Sequence, residues 1–219
     1  MEQIKAIIFD LDGTIADTID AIKHGVNLAM RSLGYPESTR EDILGHINFG
    51  ARHLVRLSLP QALQNDNEKI DQALAVYNQT YAEVYTETDT PYEGIPEVFT
   101  ELDKRGYHIA ILSNKQDAFV SVLSESLLPK GSWKIARGQR QGSPVKPNPT
   151  VPLELASLLG AKPSACAFVG DSNVDMETAK NAGMLAVGVT WGYRSAEILL
   201  EAGADILAHT PKDLLEIFS

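Results

Sequence analysis

The sequence predicts an α/β fold, a parallel sheet with helices on both faces, into which a second, all-helical unit is inserted. Three observations carry this. Short apolar runs recur along the chain, amphipathic stretches alternate with them, and one interval between runs is far too long for a single crossover. In order, the runs are AIIF at 6–9, HIAILS at 108–113, ACAFVG at 165–170, LAVGVT at 185–190 and ADILAH at 204–209. Unbroken apolar runs of this length read as strands buried on both faces, as the strands of a parallel sheet are.

The stretches between them read as helices. PEVFTELDKRG and PTVPLELASLLG are amphipathic, and Gly106, Gly160, Gly183 and Gly203 stand just past such stretches, where a left-handed C-cap belongs. Between the first and second strands lie roughly 75 residues, from Ile15 to about Pro91, which exceed one crossover connection. They read almost wholly as helix: DTIDAIKHGVNLAMRSLG, then STREDILGHI with a capping box expected between Ser38 and Glu41, then ARHLVRLSL and EKIDQALAVYNQTYAEVY. The expected organisation is therefore a core of residues 1–15 and 92–219 and a helical unit of residues 16–91. No internal repeat and no low-complexity tract interrupts it.

Composition narrows the function. With 219 residues, 44% of them hydrophobic, the chain can build a sizeable core. Nineteen basic against 29 acidic residues leave a net charge of -10, which argues against nucleic acid or an anionic membrane as partner. The single cysteine, Cys166, lies in an apolar run and reads as core, so nothing points to an oxidising compartment. MEQIKAIIFD is too short in apolar residues for a signal peptide, and no stretch reaches the roughly 18 apolar residues of a membrane span. A cytoplasmic protein acting on a small molecule, as a monomer or homodimer, is expected.

The chemistry is concentrated where the strands end. In KAIIFDLDGTIADT, Asp10 and Asp12 follow the first strand directly, and residues two apart in extended chain face the same side. Gly13 permits the turn that follows. A calcium loop starting at Asp10 is excluded, because its sixth and twelfth positions hold Ile15 and Ala21 rather than glycine and glutamate. Ser113 and Asn114 end the second strand, GDSNVD supplies Asp171 and Asp175 after the third, and Lys146 sits in PVKPNP.

Taken singly, each has a plain structural explanation: a polar turn, a helix cap or a solvated loop lysine. Together they occupy the carboxyl ends of strands that should be neighbours, which is where open parallel sheets bind ligands. Carboxylates crowded at one point call for a hard divalent cation, with magnesium the natural candidate. Once such an ion and Lys146 offset the charge, a phosphate dianion can enter, Ser113 and backbone N–H groups can hold it, and a carboxylate becomes a plausible nucleophile. No GxGxxG, GxxxxGK, HExxH or GxSxG string exists, and five scattered histidines offer no zinc spacing.

The four stations DLDGT, LSNK, VKPNP and VGDSNVDMETAKNAG together closely resemble the haloacid dehalogenase superfamily of phosphotransferases. The helical insertion, with PYEGIPEV, LSNKQDAF and VTWGYRSAE, is similar to its phosphoglycolate-phosphatase-like branch, which implies a Rossmann-like core and an α-helical cap. The resemblance implies that Asp10 is the nucleophile forming an aspartyl-phosphate and that Asp12 is the general acid and base. It also implies Mg2+ held by the Asp10 carboxylate, the Asp12 backbone carbonyl and Asp171, with Asp175 supporting that shell or Lys146. Ser113, Lys146 and Asn114 would bind phosphate, Asn114 through its side chain or by orienting the loop.

Asp12 argues against the dehalogenating and phosphonate-cleaving members, which lack that second acid. Ile22 stands about where the sugar phosphomutases carry a hinge histidine, and His24 is out of register. The expected activity is hydrolysis of a small phosphate monoester such as phosphoglycolate. A sugar phosphomutase, a pyrophosphatase or a non-enzymatic binding module are the alternatives. In NFGARHLVRLS, Arg52 and Arg56 lie one helical turn apart, and Arg52 is the expected reader of an anionic group on the leaving portion.

Overall fold

The computed structural model describes residues 3–88 and 90–219. Its centre is a six-stranded parallel sheet of β1 (Ala6–Phe9), β4 (His108–Gln116), β5 (Ile135–Gln139), β6 (Cys166–Gly170), β7 (Leu185–Val189) and β8 (Ile206–Ala208), in the order β5-β4-β1-β6-β7-β8. The first strand occupies the middle of the sheet, paired with β4 on one side (Ile8↔Ala110) and β6 on the other (Ile8↔Phe168). The side-chain period of two divides each strand between two cores. Ile7, Phe9, Ile111 and Val169 face α5 (Ile95–Lys104), α6 (Asp117–Leu127) and α10 (Asp213–Ile217). Ile8, Leu112 and Phe168 face α7 (Thr150–Leu158), α8 (Asn173–Ala182) and α9 (Ala196–Glu201). Cys166 belongs to the second core, and burial pushes its thiol up to about 11.

The five expected strands are all present, and the four glycines placed at helix ends all take positive φ. A sixth strand, β5, is not evident from the sequence, because it is an edge strand, IARGQ, with too few apolar residues to signal itself. Its Gly138 is required because a Cβ there would stand 2.5 Å from the Asp117 Cα.

The long interval forms α1 (Ile19–Ser32), α2 (Arg40–His46), α3 (Ala51–Ser58) and α4 (Asn67–Thr88), which share a hydrophobic core of their own built on Ile22, Val26, Met30, Val55, Ile70 and Tyr81. A short antiparallel pairing of β2 (Ala16–Asp17) with β3 (Thr90–Pro91) ties the entry of this unit to its exit. Its capping box lies one residue later than expected. Thr39 caps α2 and accepts from Asp42 N at 3.1 Å, while Thr39 N donates to Asp42 Oδ2 at 2.9 Å. Ser38 and Thr39 both fit the motif, and Asn27 decides between them by bonding both the N–H and the C=O of Ser38. Among the described residues no helix is long and apolar enough to cross a membrane.

The helical unit depends on a close crossing of α1 and α4 at Gly25. Thr80 Oγ1 donates to the Gly25 carbonyl at 2.8 Å, and a Cβ on Gly25 would stand 2.9 Å from Tyr81 Cδ2 and 3.1 Å from the Tyr81 Cα. Gly25→Ala gains about 1 kcal/mol of helix propensity. Overpacking of this kind costs about 1–3 kcal/mol, so a lower denaturation midpoint in urea is the expected net result. A raised midpoint would mean that α1 and α4 can separate without loss.

Candidate active site

The chain leaves β1 at the centre of the sheet, so whatever follows Phe9 is flanked by whatever follows β4 and β6. Pairing persists just beyond the strand, where Asp10 N donates to Val169 O at 2.9 Å. On one side, the β4–β5 register slips between Leu112 and Gln116, and this irregular stretch carries Ser113, Asn114 and Lys115. On the other, Gly170 leads into the turn that starts α8.

Asp10, Asp171 and Asp175 converge there, each offering a carboxylate oxygen within 4.8 Å of the others, and all three are buried. Lys146 Nζ lies 2.8 Å from Asp10 Oδ1 and 2.6 Å from Asp175 Oδ1. Burial alone would favour a neutral amine at Lys146, but the two carboxylates outweigh it and hold its pKa above the ordinary lysine value. One ammonium does not offset three carboxylates. Burial, reinforced by Asp175, raises Asp10 well above the usual carboxylate range and Asp171 to about 7, although the Tyr193 N–H and Lys146 pull Asp171 back.

Backbone and hydroxyl donors fix the cluster. Tyr193 N donates to Asp171 Oδ2 at 2.7 Å and Thr14 Oγ1 to Asp171 Oδ1 at 3.3 Å. Asp175 closes the capping box of α8, accepting from Ser172 N at 3.0 Å and Ser172 Oγ at 2.6 Å. Three glycines make the room: a Cβ on Gly13 or Gly192 would overlap Asp171, and one on Gly170 would overlap Asp175. An all-oxygen donor set in a cradle without side chains, with unbalanced negative charge, fits a hard divalent cation held by Asp10, Asp171 and Asp175.

Asp12 has different company. Its Oδ1 accepts from Lys115 Nζ and from Thr18 Oγ1, both at 2.6 Å, and its Oδ2 from Ser113 Oγ at 3.3 Å. The carboxylate is not part of the three-aspartate cluster. Asp10, Asp12, Ser113, Asn114, Lys115 and Lys146 form the floor of a cleft of about 580 Å³, part of it open to solvent. Its walls are largely apolar side chains of the helical unit: Ile22, Ile47, Ala51, Leu54, Tyr77 and Tyr81, with Phe119 from α6.

Of the two readings for Asn114, phosphate contact or orientation of the loop, its hydrogen bonds fit the second, because both ends of its amide are committed to backbone: Nδ2 donates to Lys146 O at 3.0 Å and Asn48 O at 2.7 Å, while Oδ1 accepts from Lys146 N at 2.8 Å. It orients the lysine loop. Arg52, expected in the cleft, is exposed on the outer side of α3, bonded to Asp71 Oδ1 at 3.2 Å and Asn67 Oδ1 at 3.0 Å. Successive helix residues turn by about 100°, so with Ala51 and Leu54 facing the cleft, position 52 faces away. Nothing in the sequence singles out Lys115 within LSNK, or Tyr193, whose part in holding Asp171 depends on folding alone.

A family model described as haloacid dehalogenase-like hydrolase matches residues 7–189. A phosphoglycolate phosphatase of Aliivibrio fischeri is 32% identical over 222 residues, covering 100% of this chain and 98% of the relative. Phosphoglycolate phosphatase 1 of Pseudomonas aeruginosa is 29% identical over 214 residues, 96% of this chain and 78% of the relative. A crystal structure from Lactobacillus delbrueckii subsp. bulgaricus, provisionally named a phosphoglycolate phosphatase, superposes with a TM-score of 0.90 at 31% identity, over 99% of this chain and 98% of that one. Sequence and fold agree over nearly the whole length, and the chain belongs to the haloacid dehalogenase-like hydrolases.

Proposed function

We propose that this hydrolase is a Mg2+-dependent phosphatase that cleaves a small phosphate monoester, phosphoglycolate first among them, through an aspartyl-phosphate on Asp10. The observation that carries the reading is the contrast between two carboxylates on one cleft floor. Asp10 belongs to a buried cluster with Lys146, Asp171 and Asp175, whereas Asp12 is held outside it by Lys115, Thr18 and Ser113. Neighbouring carboxylates in such different surroundings suit different tasks. The names of the relatives support the substrate class.

In this mechanism an Asp10 carboxylate oxygen attacks phosphorus, the bond from phosphorus to the ester oxygen breaks, and Asp12 protonates the departing oxygen. Water then attacks the aspartyl-phosphate, Asp12 takes its proton, and phosphate leaves with Asp10 restored. Ser113 and the Lys146 ammonium hold the phosphoryl oxygens. Asp10, Asp171 and Asp175 would hold Mg2+, with the Asp12 backbone carbonyl as a further oxygen donor by resemblance to the family, and the ion would supply charge neutralisation for the incoming dianion. Residues 16–91 act as a cap whose apolar side chains keep the floor dry, which strengthens every electrostatic interaction on it. Ile22 at the cleft wall cannot move a proton and His24 is exposed, which favours hydrolysis over phosphoryl transfer between sugar hydroxyls.

Purified protein assayed with Mg2+ against a panel of phosphate esters tests the reading directly, and absence of phosphate release from all of them would overturn it. Asp10→Asn is expected to abolish turnover. Asp12→Asn should retain the nucleophile but lose about 10²- to 10⁴-fold, least for leaving groups of low pKa when formation of the aspartyl-phosphate is followed in a burst experiment. Near wild-type rates on an alkyl phosphate in both variants would refute the two roles.

The raised pKa values set a pH signature. Asp171 goes from its ordinary 3.8 to about 7 in the folded metal-free protein, and Asp10 shifts in the same direction. Between those limits the folded state retains a proton that the unfolded chain has released, so stability falls as pH rises through the window. Thermal melts in EDTA should show a midpoint that drops from about pH 5 to about pH 8, and Mg2+, which competes with those protons, should raise it more at the higher pH. A Mg2+ effect that is equal at both pH values would refute the assignment of these aspartates to the metal.

A further inference from the structure

We propose that Lys115 and Asn48 form a carboxylate subsite, and that they give the cleft its preference for a leaving group carrying a second anion. The proposal rests on the phosphoglycolate reading above and replaces Arg52 as the reader of that group. Two ammonium groups line the cleft, Lys146 and Lys115. Lys146 is fixed between Asp10 and Asp175 and serves the phosphoryl side. Lys115 Nζ stands 2.6 Å from Asp12 Oδ1 and 4.8 Å from the centre of the Tyr81 ring, between the core and the helical unit.

Its position matches the substrate's shape. Asp12 must meet the ester oxygen, and in phosphoglycolate a single methylene separates that oxygen from the carboxylate. The group that reads this carboxylate must therefore sit beside Asp12, as Lys115 does and Arg52 does not. An ammonium carries three donors, so Lys115 can serve more than one acceptor, Asp12 among them. An ion pair offered to substrate in a cleft with apolar walls is poorly screened.

Asn48 supplies the second, independent observation. Its side-chain Nδ2 is buried and has no hydrogen-bond partner, in a residue that lines the cleft. The residue also adopts φ 81°, the positive-φ non-glycine position among the described residues. Asn114 Nδ2 grips its carbonyl at 2.7 Å, which anchors Asn48 to the segment that carries Lys115. A buried amide donor without a partner, in a cleft-lining residue whose backbone is held from the core, is what an acceptor on the ligand would satisfy.

The test is the ratio of kcat/KM on phosphoglycolate to kcat/KM on ethyl phosphate, which lacks the carboxylate. Loss of a charge-assisted hydrogen bond predicts a ratio roughly ten- to a hundredfold lower in Lys115→Met, beyond any loss that both substrates share through Asp12. Lys115→Arg should keep most of the preference. Asn48→Gly, which removes the amide and tolerates the positive φ, should lower the ratio several-fold. If both substrates fall alike in Lys115→Met and the ratio is unchanged, Lys115 acts only through Asp12 and the subsite is refuted while the phosphoglycolate reading stands. A wild-type ratio near one refutes the phosphoglycolate reading, and the subsite with it.

Discussion

The constraint on which the structure turns is the burial of three carboxylates around one ammonium. Asp10, Asp171 and Asp175 are removed from water almost completely, and Lys146 offsets only part of their charge. Buried charge is costly unless it is paired and hydrogen-bonded. Much of the surrounding architecture exists to meet that requirement. Tyr193 and Ser172 turn backbone N–H groups onto the carboxylates, Gly13, Gly170 and Gly192 give up side chains to let them approach, and Asn114 clamps the backbone of Lys146 from both sides. The charge that remains unbalanced is negative, which suits the cluster to a cation.

Topology delivers these groups to one point. Because β1 is central and all six strands run parallel, the segments leaving β1, β4 and β6 emerge side by side at the same end. The helical unit then covers that end, and polar contacts pin the two together: Asn114 to the Asn48 carbonyl at 2.7 Å, Gln116 to Asn78 at 2.5 Å and Arg194 to the Leu44 carbonyl at 2.7 Å. Tyr193 joins the same system, its hydroxyl accepting from Thr18 N at 2.9 Å while its own N–H holds Asp171. Floor and roof are therefore chemically unlike. The sheet end is charged and the helical side is apolar.

Much of this was legible in the chain, for identifiable reasons. The central strands announce themselves because burial on both faces demands unbroken apolar runs, and the polar residues that follow them break that pattern abruptly. The edge strand β5 stayed hidden because its outer side needs no apolar partner. The capping box of α2 was ambiguous because SxxE and TxxD overlap by one residue, and a side chain from α1 resolved it.

By itself, the sequence determined the fold class and the identity of the charged residues at the strand ends, since both follow from local periodicity and from the direction of a parallel strand. Tertiary structure alone decided which side chains those residues meet. Arg52 and Lys115 are both cations near a motif, and nothing local separates them. The packing of α3 through Leu54 and Val55 turns Arg52 toward Asp71 and Asn67, whereas the slipped register of β4 brings Lys115 onto Asp12. Helix rotation and strand register are set by contacts distant in the chain, so the choice between them is a property of the packed molecule.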